Sequence, residues 1–151
     1  MGWGSEQANA ISRAEEKVQK DREWQLYASS RIKAECSSLF RVLSDQISAY
    51  VKEFNAARGE ASVDCKHAGD TLEVTKASGP TKYLRLSLDS ERGSVTVYKR
   101  TTDWHSVISD EYDQLRFSVD NSGAVRFCSY VDCQSLAQSL LSDVFGSFLR
   151  L

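Results

Sequence analysis

Residues 28–57 read ASSRIKAECSSLFRVLSDQISAYVKEFNAA, and the apolar positions in this stretch decide the fold. Ala28, Ile32, Cys36, Leu39, Leu43, Ile47, Tyr50, Phe54 and Ala57 recur in steps of three and four, which places them on one face of an α-helix. Phe40 and Val51 flank that stripe and widen it. A broad stripe suits a helix lying on a sheet better than the narrow seam of a coiled coil. Gly59 stands where a left-handed residue would close the helix.

Working upstream, the same helix has little reason to stop. No Gly or Pro occurs at positions 5–58, and the residues there are mostly strong helix formers. Ser12 and Glu15 fit a capping box, so the helix is expected to begin there, with residues 1–10 frayed. Ile11, Ala14 and Val18 prolong the stripe, but Asp21 interrupts it within a charged stretch. A straight helix over 12–57 would be about 69 Å long. A six-stranded sheet is only about 24 Å wide, with strands of about 20 Å. The sheet can therefore cover one half of the run. The other half either projects or bends back near Asp21 or Ser29-Ser30. The weaker stripe favours exposure, which divides the chain into an exposed or protruding helical segment, 1–27, and a single domain, 28–151.

Downstream the period changes from 3.6 to 2. Val63 and Cys65, Leu72 and Val74, the triplet Leu84, Leu86 and Leu88, then Val95 and Val97, alternate with polar neighbours. Leu115, Phe117 and Val119 do the same, followed by Val125 and Phe127. Strict alternation describes strands wet on one face, hence an antiparallel sheet. Turns are expected at 68–70, at Ser78-Gly79-Pro80, at 89–93 and at 120–123, short enough for consecutive strands to be neighbours in a meander. Residues 101–113 read as a longer loop. A second helix follows, with Asp132 as its N-cap. Its broad apolar face comprises Leu136, Leu140, Leu141, Val144, Phe145, Phe148 and Leu149. The expected fold is α+β: a long N-terminal helix, a six-stranded antiparallel meander and a C-terminal helix. Both helices lie on one sheet face, giving two layers.

Composition narrows the function without assigning it. The chain has 151 residues, 41% of them hydrophobic and 26% charged, which describes a globular domain rather than a disordered chain. A net charge of −2 gives no basic excess of the kind nucleic-acid binders show. The four cysteines have no CxxC spacing and there are two histidines, a poor supply of zinc ligands. The N-terminus lacks the pattern of a secretory signal, and no apolar run nears the roughly 20 residues that span a bilayer. These points lead to an expectation of a cytoplasmic protein with reduced thiols, no membrane partner, no cofactor and no metal.

No P-loop, GxGxxG, HExxH or GxSxG occurs, so the expectation leans away from an enzyme. The 101–113 stretch is the most suggestive for binding, because it joins Asp103, Trp104 and His105 to the carboxylates of Asp110, Glu111 and Asp113. A bland alternative has Trp104, Val107 and Ile108 tucked under the sheet edge with the acids facing water. On the polar sheet face, Tyr83 and Tyr98 with Arg85, Arg116 and Arg126 have the composition of a stacking surface for single-stranded RNA. Without a basic excess they read instead as ordinary exposed strand residues. Two functions follow as expectations. The first is a non-enzymatic binding or adaptor module that self-associates through residues 12–27. The second is a carrier of a small apolar ligand held between the sheet and the long helix, with Tyr50, Trp104 and His105 at its mouth.

Overall fold

A computed structural model describes residues 2–59, 62–77, 81–103, 105–128 and 132–149; at positions 143 and 146–149 the description is of the backbone alone. The Ser78-Gly79-Pro80 turn, Trp104 and the side chains of Phe148 and Leu149 thus lie outside the described residues. The order is α1 (Trp3–Arg58), β1 (Val63–Ala68), β2 (Thr71–Lys76), β3 (Thr81–Asp89), β4 (Ser94–Thr102), β5 (Ile108–Val119), β6 (Val125–Phe127) and α2 (Cys133–Leu149). The six strands form one curled antiparallel meander in sequence order. The α+β class, the strand count and the meander agree with the sequence reading.

Two boundaries differ from expectation. The helix starts at Trp3, with Gly2 as its N-cap, so residues 3–10 are helical and Ser12 caps nothing. Helix formers on both sides carry the helix through the capping-box sequence, because no residue there breaks it. The helix also continues through Asp21 and Ser29-Ser30 without a break, giving 56 residues, about 84 Å at the usual rise. Gly59 closes it at φ +72°, its N–H donating to the carbonyls of Ala56 and Asn55. The second difference is at 101–113, most of which is strand and not loop. β4 runs to Thr102 and β5 resumes at Ile108, leaving a turn of five residues. Both faces of β5 from 108 to 114 are exposed, so no apolar alternation marks it as a strand.

The core lies between the inner sheet face and the two helices. Leu72, Val74, Leu84, Leu86, Val95 and Val97 are buried from the sheet, and Phe40, Leu43, Ile47 and Val51 from α1. Leu136, Ala137, Leu140 and Leu141 complete it from α2. Burial is centred on Cys36, Phe40, Leu43, Ile47 and Val51, whereas Tyr50 and Phe54 are only partly buried. The reason is the second helix. Phe54 stacks on Phe145 with ring centroids 4.1 Å apart, and Gln138 donates to the Tyr50 hydroxyl at 3.0 Å. One side of the stripe therefore meets the sheet and the other meets α2. Asp132 caps α2 as expected, accepting the Ser135 N–H at 2.7 Å.

Three contacts fix where α1 crosses the sheet. Near its C-terminal end, the Asn55 side chain donates to the Val63 carbonyl at 2.8 Å and accepts the Val63 N–H at 3.1 Å. Farther back, Ile32 lies over Gly93 so closely that a Cβ there would sit 2.5 Å from the Ile32 Cγ2. The Arg31 side chain donates to the Gly123 carbonyl at 3.2 Å. The helix thus runs from the β5–β6 turn to the outer edge at β1. Residues 2–27 extend past that turn and every one of them is exposed.

Candidate functional site

The sequence singled out six side chains, and the structure distributes the five it describes over three places. Tyr50 lines a groove of about 370 Å³ between α1 and α2, together with Phe54, Leu141 and Phe145. This hollow lies between the two helices. Between sheet and α1, core side chains occupy the centre, and a second hollow of about 360 Å³ lies at the margin, lined by Ile32, Gly93, Ser94, Gln114, Arg116 and Phe117. Asp103 and His105 are in the β4–β5 turn and do not line the groove. Trp104 lies outside the described residues.

The turn explains its own composition. Asp103 Oδ1 accepts the N–H groups of His105 and Val107 at 2.9 and 2.8 Å, and the Asp103 N–H donates to the Val107 carbonyl at 3.0 Å. Ser106 takes the left-handed conformation at φ +62°, its N–H donating to the Asp103 carbonyl. The β5–β6 turn repeats this pattern. Asp120 Oδ1 accepts from the N–H groups of Ser122 and Ala124, its own N–H donates to the Ala124 carbonyl, and Gly123 is left-handed at φ +85°. Asp103 is thus a turn-forming residue, its carboxylate aimed at backbone amides. His105 is exposed, and Val107 and Ile108 are 60% and 51% exposed rather than tucked under the sheet edge.

Tyr83 and Tyr98 do come together. On the outer sheet face they meet edge-on with centroids 5.9 Å apart, and Tyr98 meets Tyr112 of β5 at 4.8 Å. Arg85 lies 5.0 Å over the Tyr98 ring. Each of the two hydroxyls is committed: Tyr83 donates to Glu73 at 2.8 Å and Tyr98 to Asp110 at 2.9 Å. Both phenols are held above their ordinary pKa, Tyr83 chiefly by burial and Tyr98 chiefly by its bond to Asp110. They stay neutral and fixed, and serve as a cross-strand ladder. Tyr112 is the member that sequence alone does not reveal, because its strand carries no apolar alternation.

Nucleophile and metal chemistry find little here. Burial raises the pKa of the Cys65 and Cys133 thiols, which lowers their thiolate fraction at neutral pH. Among the described residues no cluster of three or more His, Cys, Asp or Glu side chains could hold a metal ion, and no helix is long and apolar enough to cross a membrane.

The remaining feature is the free half of α1. Trp3, Ile11, Val18, Trp24, Leu26 and Tyr27 are 44–76% exposed. Large apolar side chains concentrated on one exposed helix are unusual for a surface that meets only water. Comparison with family models, with curated proteins and with solved structures finds no match to this chain.

Proposed function

We propose that this protein is a non-enzymatic binding or adaptor module that self-associates through its N-terminal helix. One observation carries the reading: every residue from 3 to 27, about 37 Å of helix, is exposed, six large apolar side chains among them, and only the end nearest the sheet, at Trp24 and Tyr27, approaches the rest of the chain. A helix of that length with so little tertiary contact is marginal in water, since helical stability comes mainly from packing an apolar face. Ile11, Ala14 and Val18 supply such a face. A second copy is the occupant that the charge pattern suits. The segment holds five acidic side chains (Glu6, Glu15, Glu16, Asp21, Glu23) and four basic ones (Arg13, Lys17, Lys20, Arg22), so with signs interspersed and a net charge of −1 per copy, pairing meets only slight net repulsion.

Light scattering of the full chain, and of a chain beginning at Ser29, tests this. The full chain is expected at twice the 16.9 kDa protomer mass and the shortened one as a monomer. An Ile11→Glu, Val18→Glu double variant should dissociate while keeping its sheet. A full chain that is monomeric at every accessible concentration would overturn the reading. Native mass spectrometry of the same samples reports in addition whether a small apolar molecule travels with the protein.

A further inference from the structure

In the β4–β5 hairpin, the outer edge of β5 at 108–112 has no strand partner among the described residues. Pairing between β4 and β5 is continuous from Ser94↔Arg116 to Thr102↔Ile108, without a bulge. β6 pairs only with 117–119, and the Cys128 N–H donates to the Arg116 carbonyl. Arg116 therefore turns its backbone polar groups away from β4. Alternation along a regular strand then turns those of Gln114, Tyr112, Asp110 and Ile108 the same way. The Gln114 N–H agrees with this parity, because it is taken by the Asp113 carboxylate at 2.8 Å. Beyond that point, among the described residues, no strand or helix pairs with the edge at 108–112.

We infer that this edge of β5 accepts an extended cationic peptide segment as a seventh strand. Main-chain bonds to the outward groups of Ile108, Asp110 and Tyr112 would hold it, and side chains would select it. Asp110, Glu111 and Asp113 are the charged residues between Ile108 and Gln114, so the strand itself contributes only acidic charge, with the Asp110 carboxylate shared with Arg100 at 4.0 Å and the Tyr98 hydroxyl at 2.9 Å. That disfavours a second copy of β5 as the partner. Antiparallel self-pairing centred anywhere from Asp110 to Asp113 sets carboxylate opposite carboxylate: Asp110 on Asp110, Glu111 on Glu111, Glu111 on Asp113 or Asp113 on Asp113. A strand with basic residues opposite Asp110 and Glu111, and apolar ones opposite Ile108 and Tyr112, meets no such conflict. The other edge of β5 already has a partner of this kind, since Arg100 stands opposite Asp110, Lys99 opposite Glu111 and Tyr98 opposite Tyr112. That partner strand supplies a probe whose pairing chemistry is known.

The test uses the full-length protein and an acetylated peptide with the β4 sequence SVTVYKRTT, with SVTVYEETT as the charge-reversed control. Residue-resolved amide exchange by NMR is the readout. In the free protein the Asp110 and Tyr112 amides should exchange fast, and those of Glu111 and Asp113 slowly. Saturating SVTVYKRTT should slow exchange at Asp110 and Tyr112 about tenfold, and the control should bind about tenfold more weakly, as two mismatched cross-strand charge pairs imply. Absence of binding, equal binding of the two peptides, or protection confined to β1 would overturn the inference. So would faster exchange between β3 and β4, which would signify that the peptide displaces β4 rather than adding to the edge.

Discussion

The junction between α1 and the sheet should depend on one amide side chain. Asn55, in the last turn of the helix, faces Val63 at the start of β1 and makes two bonds to its backbone, one in each direction. Val63 is 3% exposed, so water has little access to the groups left behind. In Asn55→Ala both bonds go and the Val63 N–H and C=O are stranded, at about 1–3 kcal/mol each. Ala gains back about 0.6 kcal/mol in helix propensity. Partial relaxation at a strand end brings the expected net loss to about 2–3 kcal/mol, or about 5–10 °C in Tm for a chain of this size. Urea unfolding followed by circular dichroism measures it, and faster exchange of the Val63 amide localises it. Asn55→Asp sharpens the test: it keeps an acceptor for the Val63 N–H but sets a carboxylate against the Val63 carbonyl. Its defect should therefore ease as pH falls and the acid regains a donor. An Asn55→Ala variant within about 0.5 kcal/mol of the parent, the range typical of neutral surface substitutions, would refute the argument.

Gly93→Ala should be costly for two reasons that a second substitution separates. Its φ of +62° penalises any side chain, and its Cβ would press on Ile32; together these amount to about 2–4 kcal/mol, of which only the clash is recovered in an Ile32→Ala background, as a double-mutant cycle would measure. Ser106→Gly should raise stability by up to about 1 kcal/mol, because the parent holds a left-handed Ser where the matching β5–β6 turn has Gly123. The reverse change, Gly123→Ser, should destabilise, since a Cβ there would lie 2.6 Å from the Tyr27 hydroxyl. Acid should weaken the fold through Asp120 and Asp132. The Ser122 hydroxyl and nearby backbone amides hold the first carboxyl below its ordinary pKa, and the Ser135 N–H the second. Their stabilisation is complete above the unfolded pKa of about 3.9 and is lost as pH falls through the lower folded values; Asp120→Ala and Asp132→Ala should each flatten stability against pH in that window.

Much of this fold was legible in the order of its residues. A three-and-four stripe followed by six period-2 runs and a second apolar helix yields the class, the strand count and the meander, because elements of this kind bury one face and leave the other wet. Asp132 and Gly59 were legible as caps for a similar reason: local backbone geometry demands those residue types. The reading failed where burial is absent. From 108 to 114 both faces of β5 are exposed, so Ile108, Asp110 and Tyr112 carry no alternation and passed for a loop.

The six side chains first grouped as a site had been joined by residue type, and only the packing could say which of them meet. Tyr83 and Tyr98 do, because register places their strands side by side; Tyr50 belongs to the interface with α2, and Asp103 to its own turn. The helix over 28–57 shows the division most simply. Its amphipathic period alone marks it as the spine of the core. That Phe40 and Val51 face the sheet while Tyr50 and Phe54 turn to a second helix was decided by how two helices share one curled surface, since hydrophobicity fixes which face is buried but not which neighbour covers it.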